Sequence, residues 1–375
     1  MQAGDIITIR PESLVAGGAA LARVDGFPIF ALNVFPGDVA RVELVEVKKG
    51  FARADLVELL KPSPWRRAAP CPIANECGGC DWTALRLDKQ LEAKRGILLE
   101  SLRRIGKITD APPIVLHPSP LNYRLRSRLH RDGDAIGFYA MRSNRVVPLA
   151  PECEVVGVET AMDCGGKATA FPHRSKSGGS AAAVQIWELD GQLVEEGELT
   201  IDGYRVSTDA FFQVNRHLLQ TMLRLVQAHA QGVKNKNTAV DLYAGVGFFS
   251  APLARMFARV IAVEGSPVSA RYARINLPRN AKVIEAPVER EATRLPPADF
   301  LFLDPPRAGT RQEVIRAIGE RTKEKIAYLS CDPVTFSRDA SRLIASGWRL
   351  ATLDLLDLFP NTHHVETLSS FERAQ

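Results

Sequence analysis

The sequence predicts an α/β protein: a doubly wound sheet in the C-terminal half, preceded by a small OB-type β-barrel and a mixed α+β central domain. Three observations predict it. From about residue 216, apolar strand runs at 238–243, 259–263, 299–303 and 326–330 alternate with helical segments, as in a parallel sheet covered on both faces. Residues 1–60 hold short alternating stretches broken by turn residues, the mark of a small barrel. Between the two lie a cysteine-bearing loop, one long helical stretch and further strands. The boundaries fall at 1–60, 61–205 and 206–375, and 375 residues suit two or three domains.

In the first segment, Ile6-Ile7-Thr8-Ile9 and Val39-Ala40-Arg41-Val42-Glu43-Leu44 are strand-like. Gly17-Gly18, Asp25-Gly26 and Pro36-Gly37-Asp38 supply the turns. Small barrels of this type often hold nucleic acid, and equally often are plain structural modules. Pro62, Pro64 and Pro70 form a linker, followed by the cysteine loop. A helix is expected over roughly 85–105, with Leu91, Leu98 and Leu102 on one face. Residues 115–205 read mostly as β, with turns at Asp132-Gly133-Asp134 and Asp190-Gly191-Gln192, and Gly178-Gly179-Ser180 reads as a loop.

Hydrophobic residues make up 46% of the chain and charged residues 24%, an ordinary globular balance. No apolar run reaches the roughly 20 residues of a membrane span, and the first residues lack a signal-peptide pattern. The chain therefore reads as cytoplasmic, with cysteines that are not structural disulfides and with no obligate protein partner evident. The net charge is +5, and residues 61–150 hold 16 Lys+Arg against 8 Asp+Glu. That local excess suits a polyanion or a solvated face about equally.

Val240-Asp241-Leu242-Tyr243-Ala244-Gly245-Val246-Gly247-Phe248-Phe249-Ser250 joins an apolar strand to a helix. Gly245 and Gly247 permit a tight turn and close approach of backbone to a ligand. The next strand ends at Glu264, placed to accept hydrogen bonds from ribose hydroxyls. A dinucleotide fingerprint wants glycine where Ser250 stands, which weakens a pyrophosphate site. The pattern resembles that of class I methyltransferases, whose S-adenosylmethionine carries no phosphate. A third strand runs into Asp304-Pro305-Pro306-Arg307 at the same crevice. Methyltransferases acting on base amines carry an aromatic after a similar Asp-Pro-Pro, so Arg307 argues against an exocyclic amine target.

Another strand ends at Ser330-Cys331-Asp332-Pro333, making Cys331 a candidate nucleophile facing the crevice. The segment from Asp357 to Glu366 offers Glu366 as a candidate base, with His363 and His364 as competitors. Uracil C5 would need both groups. It is an unactivated vinylic carbon until a thiolate adds at C6, and its proton must leave before the thiolate can.

These residues resemble the RNA 5-methyluridine methyltransferases, closest to the iron-sulfur members that modify 23S ribosomal RNA. The resemblance covers nearly the whole chain. Phe211-Phe212-Gln213-Val214-Asn215, the glycine turn, Asp304, Ser330-Cys331-Asp332-Pro333 and Phe359-Pro360 to Glu366 follow the family motifs in order. It implies that Gln213, Tyr243, Gly245, Gly247, Glu264 and Asp304 contact S-adenosylmethionine, that Cys331 is the nucleophile and that Glu366 is the base. It implies a TRAM domain, an RNA-binding OB-type barrel, at residues 1–60. Phe248 stands where many members have a small or amide residue, and the stretch from Cys153 to Gln213 is short beside the larger members.

Cys71, Cys77, Cys80 and Cys153 could together hold zinc or an iron-sulfur cluster, and their spacing alone does not choose. The resemblance implies a [4Fe-4S] cluster on these four, with a structural or RNA-positioning role, and leaves Cys164 an ordinary thiol. Arg124, Arg126, Arg128 and His130 alternate with Leu125, Ser127 and Leu129. On a strand they share one face, a candidate phosphate-binding stripe. The runner-up readings are a methyltransferase of the tRNA T-loop uridine and a non-catalytic RNA-binding assembly factor. A redox iron-sulfur protein would need a flavin or electron-partner site, and the sequence shows neither.

Overall fold

The computed structural model describes residues 1–133, 135–166 and 182–374, so Asp134 and the Gly178-Gly179-Ser180 loop lie outside the described residues. The chain forms two compact units. One comprises Met1–Leu98, Arg128–Val184 and Phe359–His364; the other comprises Leu99–Ser127, Gln185–Leu358 and Val365–Gln375.

In the first unit, six strands form one sheet, in the order Ile6–Ile9, Val39–Lys48, Phe51–Lys61, Phe27–Leu32, Ala20–Val24, Ser13–Leu14. Period-two patterning explains it: Ala40, Val42 and Leu44 are buried while Arg41 and Glu43 are exposed. Asp25 and Gly26 both have positive φ, 51° and 79°, as a two-residue hairpin turn requires. The proline linker is fastened down. Buried Asp38 accepts hydrogen bonds from the backbone of Phe35 and Ser63, each 2.7 Å, and from Arg66 at 2.8 Å. The expected helix spans Leu87–Arg104, with Leu98 and Leu102 buried; Leu91 is only partly covered.

The second unit is built on an eight-stranded sheet. Its order is Ala281–Glu285, Arg259–Glu264, Thr238–Leu242, Ala298–Leu303, Thr322–Ser330, Glu366–Arg373, Trp348–Leu356 and Ile114–His117. The first five strands are parallel, and each of the four predicted runs is one of them. Glu366–Arg373 is antiparallel to both neighbours. Local patterning did not reveal that Ile114–His117 joins this sheet as its edge, parallel to Trp348–Leu356. Val240, Leu242, Ile261, Val263, Leu301 and Leu303 are fully or almost fully buried, as a sheet covered on both faces requires. Hairpins close at Asp190-Gly191 and Asp202-Gly203, all four residues at positive φ. Among the described residues no helix is long and apolar enough to cross a membrane.

Candidate active site

The carboxyl ends of the parallel strands build the site, and local chemistry shapes each loop. After Thr238–Leu242 the chain turns through Tyr243, Gly245 and Gly247, at φ 62°, 56° and 88°. Tyrosine in the left-handed region costs on the order of 1 kcal/mol, so packing holds this turn against a local preference. A side chain built on Gly247 would meet Leu277 at 3.0 Å, whereas one on Gly245 would meet nothing within 4 Å and faces open space. Glu264 closes the turn: its carboxylate accepts from the backbone N–H of Gly245 at 2.8 Å and of Ser266 at 2.6 Å. Ser266 then caps the following helix, with Pro267 in its first turn.

Gln213 reaches the same place, donating from Nε2 to Asp304 Oδ2 at 3.0 Å. Burial raises the Asp304 carboxyl to about 7, opposed by that bond. Asp241, fully buried under the turn, accepts from Ser250 Oγ at 2.5 Å, and its other oxygen has no partner. Burial raises it to about 8, with Asp304 and Glu264 adding repulsion. The sequence places Asp241 just before the glycine turn, and the fold buries it completely. Desolvated carboxylates crowded here favour a cationic ligand.

Asp304-Pro305-Pro306-Arg307 leads into a stiff loop. Thr310 donates its N–H to buried Asp339 at 3.0 Å, and Gly309 adopts φ 70° where a side chain would strike Arg338 and Asp339. Phe248, unusual for its position, is buried against Phe212 and Tyr204 with ring centroids 5.2 and 5.3 Å apart. It is a core residue.

Cys331 follows Thr322–Ser330 directly and is partly exposed. Its neighbours hold it in place. Asp332 caps the helix Pro333–Ala345 by accepting from Thr335 N–H at 2.7 Å, and Pro333 opens that helix. Asp332 also donates its N–H to Ser330 Oγ at 3.3 Å. Burial, then the charges of Glu366 and Asp304, push the Cys331 thiol up to about 12, and Arg307 opposes them. Glu366 is buried, and its carboxyl is driven far above the carboxylate range by burial and then Asp304, again opposed by Arg307. Cys331, Glu366 and Asp304 thus share one electrostatic environment, with Arg307 as its counter-charge. Sequence reasoning used Arg307 only to exclude an amine target.

Within the first unit, Cys71, Cys77, Cys80 and Cys153 line one cavity with Phe138, Leu149 and Asn361. Burial pushes the Cys71 thiol up and Cys153 adds to the shift, so these two thiols are within electrostatic reach. The two glycines between Cys77 and Cys80 are obligatory. A side chain on Gly78 would lie 2.8 Å from the Tyr139 carbonyl, and one on Gly79 would lie 2.7 Å from the Phe138 ring. Among the described residues no group of His, Cys, Asp or Glu is arranged around a single metal ion. The Cys164 side chain lies outside the described residues.

The basic strand spans Arg126–Asp132, and Leu125, Ser127 and Leu129 are buried, as the alternation requires. Arg128 is exposed, His130 stacks on Tyr139 at 3.6 Å, and Arg124 lies in an isolated bridge to Asn215. Arg126 is half-buried over the rings of Trp187 and Phe211, 5.5 and 4.9 Å from their centroids. His363 Nδ1 and Asp81 Oδ2 lie 2.5 Å apart, and His364 stands edge-on to Phe359. Two buried amides escaped the sequence reading. Asn215 donates to the Leu358 carbonyl and to Ser119 Oγ, both at 2.9 Å. Asn361, at φ 65°, is enclosed in a hydrogen-bond network described below.

A family model described as tRNA (Uracil-5-)-methyltransferase matches residues 185–286 and 297–373. An uncharacterized RNA methyltransferase of Gloeobacter violaceus is 30% identical, over 99% of this chain and 97% of its own. A 23S rRNA (uracil(1939)-C(5))-methyltransferase of Photorhabdus laumondii is 31% identical, over 98% of this chain and 97% of its own. The solved structure of Pyrococcus abyssi tRNA (uracil-54, C5)-methyltransferase with S-adenosyl-L-homocysteine has a TM-score of 0.70 at 24% identity. It covers 97% of this chain and 99% of its own, and shows the same fold. The chain belongs to the S-adenosyl-L-methionine-dependent RNA (uracil-5-)-methyltransferases.

Proposed function

We propose that this enzyme methylates C5 of a uridine in 23S rRNA, with Cys331 as nucleophile and Glu366 as base. One observation carries the reading: the charges of Glu366 and Asp304 both raise the Cys331 thiol and Asp304 raises Glu366, so a thiol and two carboxyls lie within electrostatic reach at the carboxyl ends of the strands. The Cys331 thiolate adds to C6 of the uracil, and the resulting enolate attacks the sulfonium methyl from C5, releasing S-adenosylhomocysteine. Glu366 then takes the C5 proton, the C6–sulfur bond breaks and the thiolate departs. The raised carboxyls and thiol follow from burial and, at Cys331 and Glu366, from neighbouring carboxyl charge. The cationic methyl donor and Arg307 favour the ionised forms that the reaction needs. Gln213, Tyr243, Gly245, Gly247, Glu264 and Asp304 would hold that donor, with Gly245 leaving room for it.

The four cysteines fit a [4Fe-4S] cluster, since four thiols around one apolar cavity is the donor set such a cluster takes. Cys71, Cys77, Cys80 and Cys153 would hold it, and the chemistry it would supply is structural. The barrel-like sheet of residues 1–60 is read as the TRAM domain, residues 61–205 as the central domain and 206–375 as the catalytic domain. Arg128, the exposed arginine of the stripe that also holds Arg124 and Arg126, would face RNA, in the cytoplasm. The relative from Photorhabdus favours ribosomal RNA over tRNA.

The test is incubation of purified enzyme and labelled S-adenosylmethionine with unmodified 23S rRNA and tRNA transcripts. 5-Methyluridine is expected in the 23S transcript and none with Cys331→Ala. Label in tRNA alone would transfer the assignment to tRNA, and label in neither would sink the reading. Glu366→Gln should leave a methylated protein–RNA adduct on a denaturing gel, which the added change Cys331→Ala removes.

A further inference from the structure

We propose that Asn361 is a positioning residue for Glu366, fixing the loop that delivers the base to the segments that follow Cys80 and Cys153. The inference rests on the reading of Glu366 as the base. Trp348–Leu356 and Glu366–Arg373 are antiparallel neighbours, and Leu356 pairs with Glu366. Residues 357–365 are therefore the loop of a hairpin, and Glu366 is the first residue after it. The root of the loop is tied by Asp357 N–H to the His117 carbonyl at 2.9 Å, and by Asn215 to Leu358. The tip, Phe359–His364, belongs to the first unit.

Asn361 holds that tip with every polar group it has. Its N–H donates to Gln90 Oε1 at 2.7 Å. Its Oδ1 accepts from Gln90 Nε2 at 3.0 Å and Arg67 Nη2 at 2.9 Å. Its Nδ2 donates to Glu154 Oε2 at 2.9 Å. Its carbonyl accepts from the N–H of Asp81 at 3.2 Å and of Trp82 at 3.0 Å. Asp81 and Trp82 come directly after Cys80, and Glu154 directly after Cys153. Asn361 itself lines the cysteine cavity and is fully buried. A network this saturated has one geometry, because each missing partner would leave a desolvated donor or acceptor. Phe359–His364 is thereby held in one arrangement within its unit, and Glu366 follows His364 by two residues, so the clasp sets where the chain leaves for the strand that Glu366 begins.

The consequence falls on one chemical step. Thiolate addition and methyl transfer do not need the base, whereas removal of the C5 proton does. Asn361→Gly keeps the φ of 65° accessible and deletes only the side-chain clasp. On a 23S rRNA transcript, this variant should form the methylated adduct at the wild-type rate and clear it roughly 10- to 100-fold more slowly, the scale of a 1 Å misplacement. A 5-fluorouridine transcript is the control, since fluorine at C5 cannot leave as a proton does and the adduct persists whatever the base. Wild-type enzyme that forms no adduct on it would overturn the mechanism and the proposal together. A variant that traps the 5-fluorouridine RNA normally but clears the ordinary adduct at the wild-type rate would overturn the proposal alone. Should Asn361→Gly fail to fold, amide hydrogen exchange on wild-type protein decides. Stripping iron with a chelator should speed exchange in residues 359–364 together with 77–82, and unchanged protection of 359–364 would refute the coupling.

Discussion

Replacing Asp304 by Asn should stabilise the unliganded protein at alkaline pH while it weakens binding of the methyl donor. In the folded chain the Asp304 carboxyl holds its proton up to about pH 7. In the unfolded chain it loses that proton near an ordinary carboxylate value of about 3.9. Between these values the folded state binds the extra proton, so this group favours folding at the acid end. Its contribution falls as pH rises and levels off above about 7. At about 1.4 kcal/mol per pH unit, the span from pH 5.5 to 7 amounts to about 2 kcal/mol, and residual solvent contact reduces that to about 1–2 kcal/mol. Asn stays neutral throughout, and the Gln213 amide can turn to keep a hydrogen bond to it. Urea unfolding of both proteins at pH 5.5, 7 and 8.5 checks this. The stability difference should move toward the Asn variant by about 1–2 kcal/mol up to pH 7 and then stay level. Isothermal titration should show at least a roughly tenfold weaker donor affinity, because a carboxylate facing a cation is lost. A stability difference that does not vary with pH would refute the claim that Asp304 is held protonated.

Anaerobically purified protein should be brown with about four irons, and colourless protein with one bound zinc would remove the cluster assignment. Gly79→Ala should destabilise the cysteine loop by about 1–3 kcal/mol through overpacking on Phe138, seen as a lower midpoint in thermal melts; an unchanged melt would contradict the close approach. Arg128→Ala should weaken RNA binding and lower the slope of log affinity against log salt by about one phosphate contact. An unaltered slope would turn that strand face away from RNA.

Much of the second unit is legible because its signals are local. The glycine turn, Ser266 and Asp332 as caps, and Pro267 and Pro333 in first turns are each fixed by a few neighbouring residues, and they place Glu264 and Cys331. Strand order is not local. Nothing near Ile114–His117 distinguishes an edge of the large sheet from a strand of its own hairpin, and nothing near Glu366–Arg373 shows that it lies inside. Asn361 and Asn215 look like loop amides until tertiary structure buries them. Arg126 reads as a phosphate contact from strand period, yet the rings of Trp187 and Phe211 already engage its guanidinium. Phe248 looks anomalous against its family until Tyr204 and Phe212 are seen to surround it.

The interior position of Glu366–Arg373 also orders events in time. It is the last of the eight strands to be synthesised, yet it lies between Thr322–Ser330 and Trp348–Leu356, which are made before it. While a ribosome is still extending the chain, those two strands have no permanent partner for their facing edges. They can only wait, or pair wrongly with each other. The strand that closes the gap begins with Glu366, so the sheet and the candidate base are completed in one event. A nascent chain stopped short of it would carry Cys331 and the glycine turn without the candidate base. Cys331 and the candidate base therefore come to stand at the ends of adjacent strands only when the last strand is in place.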